Sequence, residues 1–212
     1  GLFGATIAQA ALPVLTRARL AGQMDEFRAT FLTTLHQILF LTLPATAMLI
    51  VLRIPVVRLV FGASQFNWEA TVLTGRTVAF LALGLAAQSV VLLLVRGFYA
   101  LKDTKTPVII SILTVALNII LSVVFVTILR LEVWSLGLAY SISTIISLAL
   151  LVVTLDKKVG GFNKEDLYLP AVKMLTAAVV AAAALYIPMK ALDSLVIDTT
   201  RTFNLIILTT IA

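Results

Sequence analysis

Cysteine is absent from this 212-residue chain, which excludes disulfides and thiolate metal sites. The single histidine, His36, excludes the paired histidines of an HExxH metal centre. Charge is scarce: Asp, Glu, Lys and Arg make up 12% of the residues, about half of the roughly 25% usual in soluble domains. No carboxylate falls inside a complete apolar run, so there is no intramembrane acid pair and no Asp-rich cluster for magnesium. A GxSxG elbow and a P-loop are missing as well. The first apolar run has no basic flank before it, so no cleavable signal peptide is visible. These absences point away from an enzyme, with no catalytic residues and no metal site expected. They point towards moving or binding something.

What the chain does have is hydrophobicity, at 61% of its residues. Runs without Asp, Glu, Lys or Arg cover 1–16, 29–52, 77–95, 106–129, 133–155, 174–189 and 202–212. A helix needs about 20 apolar residues to cross roughly 30 Å of hydrocarbon. Four of the runs meet or nearly meet that length. The run 174–189 is shorter, but 167–170 can extend it, and Lys173 and Lys190 can lead their ammonium groups out to the headgroups. Gly1 opens without an initiator Met, and the last run stops while still apolar. The expectation is a fragment with five whole helices and two partial ones. The fold class is therefore all-α, a polytopic transmembrane helix bundle.

The net charge is +6. No basic patch with interleaved aromatics occurs, so nucleic acid is not an expected partner. The basic residues lie between spans, where anionic lipid headgroups attract them. Loops one, three and five hold ten: Arg17, Arg19, Arg28, Arg96, Lys102, Lys105, Lys157, Lys158, Lys164 and Lys173. Loops two, four and six hold six: Arg53, Arg58, Arg76, Arg130, Lys190 and Arg201. Positive residues favour the cytoplasmic side, so loops one, three and five are read as cytoplasmic.

Local signals place the turns. The stretch 53–62 is amphipathic and too short to span, which predicts an interfacial turn of helix with Arg53 and Arg58 at headgroup level. Asn67 reads as an N-cap with Glu69 in the first turn of the helix. Residues 103–107 read as a turn, with Pro107 in the first turn of the next helix. Gly160 and Gly161 end the fifth helix. Pro44, in mid-span, predicts a kink. The short connections predict antiparallel neighbours packed side by side, and the small residues at 177–184 permit close helix contact.

Polar residues in mid-span are the candidates for chemistry, because hydrocarbon offers them no partner. Ser111, Thr114, Asn118 and Ser122 form one helix stripe. Ser141, Ser143, Thr144 and Ser147 place hydroxyls on the next helix, and Gln88 stands alone. One reading is interhelical hydrogen bonding, worth about 0.6 kcal/mol per pair. The other is an ion or headgroup site facing a cavity. His36 reads as a partner-bonded or interfacial residue, or as a proton relay. Arg96 reads as a snorkelling end-of-span residue, or as a phosphate contact from the cavity.

The run Arg96-Gly-Phe-Tyr-Ala-Leu-Lys-Asp-Thr-Lys-Thr-Pro-Val108 closely resembles the R-x-F-Y-A-x-x-D-T-[KR]-T-P-V signature of the MurJ (MviN) family. Its signature residues here are Arg96, Phe98, Tyr99, Asp103, Thr104, Thr106 and Pro107. Residues 1–16 are similar to the family's G-x-x-G-x-x-x-x-x-x-x-L-P-x-L-[ST] helix, and 55–62 to its P-[IV]-[IV] segment. The match is co-linear over roughly 1–155. Members are proposed lipid II flippases of the MOP exporter superfamily.

The resemblance implies an architecture. Residues 1–155 would be the MOP/MATE-like C-terminal lobe of the flippase core, from the eighth helix in part through the twelfth. Residues 156–212 would be two additional C-terminal transmembrane helices, the last truncated. In the family these border a groove proposed to take the polyprenyl tail. The missing N-terminal half of the same protein would be the partner bundle and would hold most of the cavity arginines. The substrate headgroup or cavity candidates in this chain are then Arg96, Gln88, Asn118 and Ser122. An ion site would use Asn118, Ser122, Ser141 and Thr144. Asn118 matches an Asn of relatives thought to hold sodium, whereas Ser122 stands where a carboxylate would help, which weighs against monovalent cation coupling. No resident cofactor is implied.

The function implied is translocation of the lipid-linked peptidoglycan precursor across the bacterial inner membrane, with membrane lipids as surroundings. The alternatives are an ion-coupled exporter of drugs or other lipid-linked oligosaccharides, and a non-transporting membrane scaffold.

Overall fold

A computed structural model describes residues 2–61 and 67–195, and every element in them is helical. In chain order they are α1 (Leu2–Leu20), α2 (Met24–Val51), α3 (Arg53–Phe61), α4 (Trp68–Ala100), α5 (Lys105–Val123), α6 (Trp134–Val159) and α7 (Lys164–Leu195). A π-helical turn, Val124–Ile128, continues α5. Five stretches are long and apolar enough to cross a membrane: Met24–Val51, Trp68–Ala100, Lys105–Ile128, Trp134–Val159 and Lys164–Pro188. These are the five whole spans expected from the apolar runs. The run 202–212, and with it the second additional helix, lies outside the described residues.

The turns form where the sequence signals them. The Asn67 side chain accepts a hydrogen bond from the Glu69 N–H at 2.9 Å, capping α4. Asp103 Oδ1 accepts from the Thr106 N–H at 3.1 Å, and Pro107 fills a first-turn position that needs no donor. Gly160 closes α6 at φ +81°, a left-handed value that side chains resist. Asn163 then caps α7 by accepting from the Glu165 N–H at 3.2 Å. α2 runs on through Pro44 to Val51.

Packing departs from the simple order. α4 is the hub, touching α1, α2, α3 and α6. α5 packs on α6 and barely meets α4, while α7 packs on α2. So α4 and α5 are not packed side by side as the short connections predict. The reason is the closeness of α4 to α6. A Cβ on Gly84 would lie 2.8 Å from the Tyr140 ring, and one on Gly137 would lie 3.1 Å from the Thr77 carbonyl. Small residues let these two backbones meet. Phe80 and Trp134 stack at 5.2 Å beside this contact. α6 thereby occupies the flank of α4, and α5 is displaced onto the outer side of α6.

Packing also sets the exposure of α7 and α3. Of the small residues at 177–184, only Ala178 is buried; the rest are exposed or half-buried along α7. Arg58 is 6% exposed, with its guanidinium 4.7 Å from the Trp68 ring centre. Pro55 and Val57 are buried beside it, so burying α3 carries Arg58 inward. Arg53 is half-buried and donates to the Ile50 carbonyl at 3.0 Å, satisfying the end of α2.

The largest buried side chains gather at the end where loops one, three and five meet. Phe27, Phe31, Phe98, Leu155, Val159 and Phe162 belong to one cluster there, with Phe31 and Phe162 stacked at 5.3 Å. α5 is the opposite case. Its Ile109, Ile112, Leu113, Val115, Ile119 and Ile120 are exposed, a continuous apolar surface that suits hydrocarbon.

Candidate functional site

Because α5 stands off α4 while both rest near α6, a cavity of about 270 Å³ opens between the three helices. α4 contributes Gln88 and Val91; α5 contributes Ser111, Thr114, Val115 and Asn118; α6 contributes Tyr140, Ser143, Thr144 and Ser147. Seven of these ten are polar residues singled out in the sequence, and all seven lie inside candidate membrane spans.

The hydrogen bonds show what the walls offer. Asn118 Nδ2 donates to Ser143 Oγ at 3.0 Å, tying α5 to α6. Ser143 Oγ in turn donates to the Ala139 carbonyl at 2.7 Å, Thr144 Oγ1 to the Tyr140 carbonyl at 2.8 Å, and Thr114 Oγ1 to the Ile110 carbonyl at 3.0 Å. These hydroxyl protons are committed to their own helices, which leaves oxygen lone pairs for the cavity. The Gln88, Ser111 and Ser147 side chains have no hydrogen-bond partner among the described residues. Among the described residues, no charged side chain lines the cavity. Its chemistry is therefore that of neutral hydroxyl and amide groups around a space large enough for several waters.

The other candidates lie elsewhere. Ser122 is half-buried further along α5 and does not line the cavity. Ser141 donates its hydroxyl proton to the Phe80 carbonyl, joining α6 to α4. Of Asn118, Ser122, Ser141 and Thr144, only Asn118 and Thr144 are brought to one cavity. Arg96 does not line it either. Its Nη2 donates to Gln9 Oε1 of α1 at 3.3 Å, and its guanidinium lies 5.8 Å from the Tyr99 ring centre. His36 is half-buried, and its Nε2 is buried with no hydrogen-bond partner among the described residues.

The signature turn is bound into the bundle. Phe98 is fully buried and Pro107 is buried, while Thr104 is exposed. Asp103 forms an ion pair with Lys158 Nζ, which also reaches Thr106 Oγ1 at 3.3 Å. Burial pushes the Asp103 carboxyl up, but the hydrogen bonds from Lys158 and Thr106 prevail and hold its pKa at about 2. Sequence reasoning missed Lys158 as the partner, since 55 residues separate the two and no spacing rule links them. It also missed Gln9 and the bond from Arg28 Nε to the Val159 carbonyl at 2.9 Å.

These contacts place loops one, three and five at one end of the bundle. There they surround a second cavity, of about 560 Å³, lined by Arg19, Met24, Leu101, Asp103, Lys158, Val159 and Gly160. The alternation of loops inferred from charge is thus the alternation of the fold.

Comparison with known proteins agrees with this architecture. A family model described as "Lipid II flippase MurJ" matches residues 1–200. A probable lipid II flippase MurJ of Rhizobium meliloti (strain 1021) is 34% identical over 188 residues, which are 88% of this chain and 35% of that protein. A probable lipid II flippase MurJ of Vibrio cholerae is 28% identical over 192 residues, again 88% of this chain and 35% of the relative. The chain thus spans about a third of the length of these curated relatives. A solved structure, "Lipid II flippase MurJ, inward closed conformation", shares the fold: its TM-score is 0.76 at 24% identity, over 100% of this chain and 41% of that one. With its five spans, its signature turn and a family model matched along nearly its whole length, this multi-pass membrane protein belongs to the MurJ lipid II flippase family.

Proposed function

We propose that this chain forms one wall of a carrier that moves lipid II across the bacterial inner membrane, within peptidoglycan synthesis. The observation that carries the reading is the cavity between α4, α5 and α6, where Gln88, Ser111, Thr114, Asn118, Ser143, Thr144 and Ser147 face a shared space at mid-span. A disaccharide-peptide headgroup crossing bare hydrocarbon would strand many polar groups at several kcal/mol each. Hydroxyl and amide walls replace part of its hydration. Alternating access follows if this bundle rocks against a second one in the whole protein. Arg96 spends one guanidinium nitrogen on Gln9 and keeps its other donors, so it is the candidate here for the pyrophosphate. The reaction needs no resident cofactor. If a monovalent cation couples to it, Asn118 and Thr144 are the oxygen ligands the cavity supplies.

The test is depletion of the full-length protein in a host with no redundant flippase, followed by labelling of precursor exposed on the outer face. Loss of labelled precursor, restored by the wild type, is expected. Normal labelling after depletion would overturn the proposal.

A further inference from the structure

The second cavity carries an inference separate from transport. It lies where the α1–α2, α4–α5 and α6–α7 turns converge, at the end of helices long enough to cross a bilayer, and hence at headgroup depth. Its acidic member, Asp103, is already neutralised by Lys158 and Thr106. Arg19 lines the cavity and has no hydrogen-bond or ion-pair partner among the described residues. Arg28 stands behind Gly160: its Nη2 is 3.1 Å from where a Cβ on that residue would be, while its Nε holds the Val159 carbonyl and its Nη1 pairs with the exposed Asp25 at 2.9 Å. With Lys158 and Arg28 each paired to a carboxylate, the uncompensated charge at the cup is that of Arg19. Its remaining walls, Met24, Leu101 and Val159, are apolar.

We propose that this cup is an anion site that takes a phosphate group, carried by a bilayer lipid headgroup or free in solution. Arg19 supplies the open fork, which pairs with phosphate oxygens through two N–H groups. Arg28, its charge shared with Asp25, turns the N–H groups of Nη2 towards the gap that the absent side chain of Gly160 leaves. The apolar walls accommodate the carbon atoms next to a lipid phosphate, as in basic pockets between transmembrane helices.

Binding of labelled phosphatidylglycerol to the full-length protein in neutral detergent tests this, with phosphatidylcholine as the uncharged control and inorganic phosphate as competitor. Phosphatidylglycerol should bind more tightly than phosphatidylcholine. Arg19→Gln should weaken it about tenfold, the loss of one charge-assisted contact. Arg17→Gln, an exposed charge on the same helix outside the cup, should change it less than about twofold. Competition by inorganic phosphate would assign the site to the free anion, and its failure to the lipid; either supports the site. Equal binding of the two lipids, or equal losses from Arg17→Gln and Arg19→Gln, would overturn it, because diffuse surface charge would then suffice.

Discussion

Asp103 and Asn118 behave as opposites among single residues. Asp103 ties three segments together, and its depressed pKa makes it a source of stability. The carboxyl falls from an ordinary 3.8 to about 2, so the contribution is fully present above 3.8 and is lost as pH drops through about 2. Lys158 is 40% exposed on its side chain, so solvent screening trims the gain to about 1–2 kcal/mol. Asp103→Asn should lower stability at neutral pH by that amount and flatten the acid limb between pH 4 and pH 2, roughly, in thermal melts. Asn118 makes one hydrogen bond to Ser143, worth about 0.6 kcal/mol. Asn118→Leu should leave the melting temperature nearly unchanged and reduce precursor translocation in reconstituted full-length protein. A large loss of stability with intact translocation would make the residue structural only.

Among the elements, the contact between α4 and α6 governs the rest. Gly84→Val should cost about 1–3 kcal/mol, because the new methyl groups meet the Tyr140 ring. Ala183→Val on the exposed face of α7 should fall within about 0.5 kcal/mol of neutral. Paired melts of the two variants measure the contrast. The elements themselves were plain in the sequence, since uncharged runs and caps such as Asn67 act locally. The partner of each helix was not. Gly84 and Gly137 announce closeness without saying to what, so the displacement of α5 by α6 needed the folded chain. The cavity was half legible: Asn118, Ser143, Thr144 and Gln88 stood out as polar residues in oil, while Ser122 and Ser141 stood out equally and lie outside it. Polarity marks a need for a partner; only packing decides whether backbone or open space meets that need.

For the molecule as a whole, the odd-numbered loops share one end. The chain has no cysteine, so introduced ones report cleanly once any cysteines of the remaining protein are replaced. In intact cells, Gln23→Cys and Lys157→Cys of the full-length protein should react with a membrane-impermeant thiol reagent only after permeabilisation, and Glu132→Cys before it. Labelling of all three from one side would contradict five crossings. The π-helical turn Val124–Ile128 lies just before Glu132, at the end opposite the sealed core. A bundle stitched by phenylalanines at one pole and parted at mid-depth resembles a clothes-peg more than a pipe.

The committed hydroxyl protons of Thr114, Ser143 and Thr144 have a directional consequence. The lone pairs they leave free welcome donors, the open Gln88, Ser111 and Ser147 groups can give protons in return, and the lining residues include no cation to hold an anion. A passenger with a sugar-peptide portion and a doubly esterified diphosphate would therefore be sorted end from end. Its hydroxyl and amide groups would settle against Asn118 and Thr144, and its diphosphate would be turned towards guanidinium groups elsewhere. On that view these uncharged walls set which way round the passenger travels.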